Sequence, residues 1–147
     1  MNNLEKEFIP YEQALALKEL GFDEPCLAFY EEDTNKLVTF HTDSYQEVTG
    51  HVCLDRQINA PTFSQAFRFF REKYGLRNSI TDFIDDEAGI EWDYEIVIIG
   101  TDLDERGNYK PLVDYSTDDE TRKFKTYEEA ELACLRKLIE IVKSNKS

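Results

Sequence analysis

The chain has 147 residues, 41% of them apolar and including ten Phe and eight Tyr, so one substantial core and a single domain over residues 1–147 are expected. The formal charge of −14, from 31 acidic against 17 basic side chains, excludes a phosphate-binding surface spread over the whole protein, which would need clustered Lys and Arg. Three widely separated cysteines, Cys26, Cys53 and Cys134, form no C-x-x-C pair, which excludes a zinc ribbon and a dithiol redox motif.

The first residues, Met1 to Phe8, carry charges of both signs and no secretory apolar region, and no run approaches the ~18–20 apolar residues of a membrane span. A soluble, cytoplasmic protein in a reducing compartment is the expectation. The first element enters at Ile9-Pro10-Tyr11 and is predicted to run as a short helix from Glu12 to Leu20. Pro suits the first turn, and Gly21 suits the left-handed position just past a helix end. Tyr11, Ala14, Leu15, Leu17 and Leu20 spread over more than one face, which predicts a helix wedged between neighbours.

Cys26–Tyr30 and Leu37–Phe40, separated by the turn formers Glu31–Lys36, predict a hairpin. From His41 to Ala60 no period dominates, although Val48 to Leu54 around Gly50 offers one more strand. Thr62 with Gln65 makes a capping box, and Phe63, Ala66, Phe67, Phe70 and Tyr74 recur at helical spacing up to Gly75. Ile80 to Ile90 reads as an acidic connection with Phe83 and Ile84 anchored in the core.

Trp92 to Thr101 is the organising strand, since Ile96-Val97-Ile98-Ile99 suits a strand covered on both faces. Asp102 to Asn108 turns it back into a partner strand, Tyr109–Tyr115. After a charged loop, Ser116–Lys125, Thr126 and Glu129 open a last helix. Its stripe is Tyr127, Ala130, Cys134, Leu138 and Ile141, flanked by Leu135, Ile139 and Val142. The fold expected is α+β: an antiparallel sheet of four or five strands covered by three helices, the last packed along the central strand.

All three helix starts share one pattern: Pro10-Tyr11-Glu12-Gln13-Ala14, Thr62-Phe63-Ser64-Gln65-Ala66 and Thr126-Tyr127-Glu128-Glu129-Ala130. Shared helix-start chemistry explains it, with the aromatic seated on a sheet and Ala allowing close backbone approach. The unequal spacing and unmatched intervening segments do not support duplication.

Glu7-Phe8-Ile9-Pro10-Tyr11-Glu12-Gln13-Ala14-Leu15 with Leu20-Gly21-Phe22-Asp23-Glu24-Pro25-Cys26 forms one block, and Ala60-Pro61, Gln65-Ala66-Phe67-Arg68 and Phe70-Arg71-Glu72-Lys73-Tyr74-Gly75-Leu76 a second. Tyr127-Glu128-Glu129-Ala130-Glu131, Cys134-Leu135 and Lys137-Leu138-Ile139 form a third. Together they resemble a group of small proteins of unassigned activity from tailed bacteriophages and from bacteria carrying phage-derived genes. The resemblance implies a phage-associated role and brings no catalytic, cofactor or binding residues with it.

His41, Asp43, His51 and Cys53 make up the one metal or acid-base constellation, but their spacing matches no diagnostic pattern, and no metal or cofactor is expected. Asp102-x-Asp104-x-x-Gly107 imitates the opening of a calcium loop, yet Arg106 replaces the third oxygen ligand and Val113 the closing Glu. There is no G-x-S-x-G elbow, Walker A pattern or dinucleotide fingerprint, and Ile99-Gly100-Thr101 has only one glycine of a phosphate cradle. Catalytic residues are therefore not assigned.

Charge asymmetry is the stronger lead. Arg68, Arg71, Lys73 and Arg77 are followed by Asp82, Asp85, Asp86, Glu87, Glu91, Asp93 and Glu95. The expectation is a noncatalytic accessory protein that binds a protein partner, or a second copy of itself, through an acidic face at Asp82, Asp85, Asp86 and Glu87. Inhibition of a host nucleic-acid-binding enzyme is one concrete version. The alternatives are a small-molecule-binding protein or enzyme with a pocket near His41, His51 and Cys53, and a virion or structural component. Direct binding to nucleic acid or membrane is not expected.

Overall fold

The computed structural model describes residues 3–39, 57–114 and 123–145. The described residues form an α+β structure with three α-helices and antiparallel strands, and the chain divides into two compact units, Met1–Ala66 and Phe67–Ser147.

In the first unit, helix α1 (Tyr11–Glu19) follows a short 3₁₀ turn at Glu5–Glu7. Gly21, at φ 92°, ends the helix: its N–H bonds the Lys18 carbonyl, and the Phe22 N–H bonds the Leu17 carbonyl. Both orphan carbonyls are thereby satisfied. Gln13, Ala14, Leu17 and Leu20 are buried while Leu15 is exposed, so α1 buries one stripe. Among the described residues the expected wedging on several faces is not seen: Leu15, ~100° from Ala14 around the helix, stands outside the buried stripe.

Strands β1 (Ala28–Glu31) and β2 (Leu37–Thr39) form the expected hairpin, with Ala28 opposite Thr39 and Tyr30 opposite Leu37. A third strand, β3 (Gln57–Asn59), pairs with the other edge of β1, giving the order β2-β1-β3. Helix α1 packs on β3. The Tyr30 hydroxyl donates to the Ile9 carbonyl at 2.7 Å, and the Ile9 N–H donates to the Pro61 carbonyl at 3.0 Å, so the segment before α1 is fastened at both sides. The strand suggested for Val48–Leu54 lies outside the described residues.

Helix α2 (Phe63–Tyr74) begins with the predicted capping box: the Gln65 N–H donates to Thr62 Oγ1 at 3.2 Å, and the Thr62 N–H to Gln65 Oε1 at 3.4 Å. The boundary between the two units falls inside this helix. Ala66, Phe67, Phe69 and Phe70 are buried, and Gly75 at φ 67° closes the helix.

The second unit is built on a long hairpin. Strand β4 (Leu76–Asp85) pairs without interruption with β5 (Gly89–Leu103), from Leu76 opposite Ile98 to Asp85 opposite Gly89. Ile80–Ile90 is therefore a strand, a tight turn and the start of a second strand, not a connection. Strand β6 (Tyr109–Asp114) pairs with the far edge of β5 with two register shifts, giving β4-β5-β6. Among the described residues the expected single sheet of four or five strands is replaced by two sheets of three. In each, the middle strand has both edges taken by neighbours.

Helix α3 (Tyr127–Asn145) packs on β4 and β5. Its Ala130, Cys134, Leu135, Leu138, Ile139, Ile141 and Val142 are buried, as the sequence predicts. The Glu129 N–H donates to Thr126 Oγ1 at 3.1 Å, and Glu129 accepts from the Lys125 N–H at 3.1 Å. The shared helix-start chemistry is visible in both units. Ala14, Ala66 and Ala130 are all buried, and the first-turn aromatics of α1 and α3 meet sheet aromatics edge-on, Tyr11 with Tyr30 at 5.6 Å and Tyr127 with Trp92 at 5.3 Å.

Candidate functional site

The two faces of the β4–β5 hairpin differ, because side chains alternate along each strand. Leu76, Asn78, Ile80, Asp82 and Ile84 share one face with their partners Ile98, Ile96, Tyr94, Trp92 and Ile90. Helix α3 lies on this face. Asn78 donates to the Cys134 thiol, and Tyr127 reaches Trp92. Burial pushes the Cys134 thiol up to about 12, so it stays protonated and unreactive at neutral pH.

The opposite face carries Glu91, Asp93, Glu95 and Val97 on β5, across from Phe83, Thr81, Ser79 and Arg77 on β4. The central strand is thus lined by carboxylates on this face from Glu91 to Glu95, before the apolar run Ile96–Ile99 begins. Glu91 is only 7% exposed and lies 3.6 Å from the Lys123 ammonium, which also sits 5.3 Å from the Phe83 ring centre. At that distance the pair is ionic without a hydrogen bond. The segment bearing Lys123 is fastened to β5 by reciprocal backbone bonds between Trp92 and Phe124, 2.8 and 2.9 Å.

The four acidic residues singled out in the sequence come together at the tip of this hairpin. Asp82 lies near the end of β4, and Asp86 and Glu87 lie in the turn; all three are exposed. Asp85 has a different job. Its Oδ1 accepts the N–H groups of Glu87 at 2.8 Å and Ala88 at 2.9 Å, closing the turn that Gly89 completes at φ 84°. Those bonds, Ala88 first and then Glu87, hold its carboxyl below the usual range, aided by the charges of Lys123 and Lys125.

Between these carboxylates stands a feature the sequence reading missed. Ile84 is not a core anchor: it is 80% exposed, and its cross-strand partner Ile90 is 57% exposed. Phe83 points to the other face and is half-buried under Lys123. Ile84 leaves the core because α3 begins at Tyr127, level with Trp92, and the hairpin continues beyond it.

The metal and pocket candidate at His41, Asp43, His51 and Cys53 lies outside the described residues. Among the described residues no group of three or more His, Cys, Asp or Glu could hold a metal ion. The Asp104 carboxylate, the remnant of the calcium-loop pattern, accepts the N–H groups of Arg106 and Asn108 and so serves the turn itself. A small cavity in the second unit, about 230 Å³, is lined by Tyr74, Leu76, Ile98, Ile141, Val142 and Asn145, with one carboxamide as its polar side-chain group apart from the tyrosine hydroxyl. It brings together no acid-base pair. No helix among the described residues is long and apolar enough to cross a membrane. The chain matches no protein-family model, no curated protein and no solved structure.

Proposed function

We propose that this chain is a noncatalytic accessory protein that binds a protein partner through the acidic tip of its β4–β5 hairpin. The observation that carries the reading is the gathering of Asp82, Asp86 and Glu87, all exposed, around a turn that Asp85 holds in shape. Carboxylates on a fixed turn steer a basic partner and set its register more than they add raw affinity. A net charge of −14 extends the same field over the rest of the protein. A basic cleft of the kind that grips phosphate is a complementary target, so inhibition of a host nucleic-acid-binding enzyme is the concrete form of the proposal. The resemblance to phage proteins supports a phage-associated role in the host cytoplasm.

The test is affinity capture from host cells followed by kinetics with the triple variant Asp82→Asn, Asp86→Asn, Glu87→Gln. Asp85 is kept because it builds the turn. The variant should associate roughly tenfold more slowly at low salt, with a shallower salt dependence. A captured partner that binds wild type and variant at the same rate at every ionic strength would refute the proposal.

A further inference from the structure

Resting on that reading, we infer that the hairpin tip recognises a basic amphipathic helix of its partner, which seats apolar side chains on a shelf formed by Ile84, Ile90 and Trp92. A single exposed isoleucine is ordinary, but two placed side by side by the strand register and continuous with a half-buried tryptophan make a patch. Tyr127, 41% exposed and in edge contact with Trp92, closes the inner end where α3 begins. Successive residues on one face of a strand are ~6.6 Å apart. Four residues of α-helix rise ~6 Å, so apolar side chains at i and i+4 of a docked helix match the rows of Ile90 and Trp92.

Charge selects the occupant. Asp82, exposed, lies opposite Trp92 on the shelf itself, Asp86 and Glu87 border its outer end, and Glu128 follows Tyr127 at the inner end. A helix with Lys or Arg flanking its apolar stripe meets this rim with opposite charge. A second copy of this chain would bring another acidic tip and −14 of net charge against it.

The probe is a short helical Lys/Ala peptide with leucines four positions apart, compared with the same peptide carrying Ser for Leu. Trp92, the chain's one tryptophan, lies on the shelf and reports docking through its emission. The leucine peptide should bind and shift that emission, and the serine peptide should bind far more weakly. Ile84→Ser with Ile90→Ser should weaken the leucine peptide by roughly tenfold or more, since burying even part of one isoleucine is worth about that factor. Both side chains are exposed, so the fold should survive, and far-ultraviolet circular dichroism verifies it; Ile84→Ser alone is the fallback.

Equal binding of both peptides, or unchanged binding by the double variant, would overturn the shelf while leaving the acidic-tip proposal intact. Loss of leucine-peptide binding in the Ile84→Ser, Ile90→Ser variant with no effect of neutralising Asp82, Asp86 and Glu87 would leave an apolar contact without selection for a basic helix, overturning the inference as stated together with the acidic tip. A wild-type dimer in sedimentation that the double variant dissolves would overturn the inference in favour of self-association.

Discussion

Leu138→Ala tests the packing of the second unit most directly. Leu138 is fully buried near the middle of α3, with Ala130, Cys134 and Leu135 equally inaccessible on the same helix. At about 0.8 kcal/mol per methylene-sized group, truncation to alanine loses about 2.4 kcal/mol of transfer free energy. Cavity formation raises the cost to about 3–5 kcal/mol, because a helix held along its length against two strands has little freedom to collapse inward. Urea denaturation followed by Trp92 fluorescence reports on this unit, since Trp92 lies on β5 against Tyr127 of α3. With a slope of about 2 kcal/mol/M, the midpoint should fall by roughly 1.5–2.5 M with the slope unchanged. The control is Glu140→Ala on the exposed side of the same helix, which removes a 3.0 Å ion pair with Lys137 and should cost no more than about 0.5 kcal/mol. If Leu138→Ala shifts the midpoint no further than Glu140→Ala, the assigned face of α3 is wrong.

Two further predictions concern titrating groups. The Asp85 carboxyl is held below its ordinary range, so its stabilisation is present at neutral pH and lost as the pH falls below about 4; the difference in melting temperature between wild type and Asp85→Asn should shrink on acidification, and a pH-independent difference would refute the turn assignment. Cys134, buried with its thiol pushed up to about 12, should resist alkylation at pH 8 until denaturant opens the second unit, whereas rapid labelling of the Cys134 peptide in the native protein would contradict its burial.

The helices were legible because their signals are local. Thr62 with Gln65 and Thr126 with Glu129 mark starts through bonds that span three residues, and Gly21 and Gly75 mark ends by adopting positive φ. The apolar stripe of α3 repeats often enough to identify its buried face without any tertiary knowledge. Strand β4 had no such signal. Asp82, Asp85 and the adjacent pair Phe83-Ile84 break the alternation a half-buried strand shows, and the acidic residues are poor strand formers. What makes this stretch a strand is its unbroken pairing with β5, which is information held in another part of the chain. β3 was missed for a related reason: Gln57–Asn59 is too short for any period, and it exists as the second neighbour of β1.

The candidate site was legible in its charge and illegible in its apolar half. Carboxylates announce themselves in composition, but whether an isoleucine is an anchor or a surface contact depends on where its covering element stops. Ile80, Ile84, Ile90 and Ile96 all lie on the α3 side of the hairpin, and the same residue type is buried at Ile96 and 80% exposed at Ile84. The boundary between them is the Trp92–Tyr127 contact, fixed by the start of α3 at Thr126 and by the Phe124 backbone bonds that fasten the preceding segment to β5. A helix beginning one turn earlier would lengthen the cover over the hairpin by ~5 Å, most of the distance from Trp92 to Ile90. The capping residue Thr126 therefore does two things at once: it starts the helix that completes the core, and it leaves uncovered the part of the hairpin on which partner recognition is proposed.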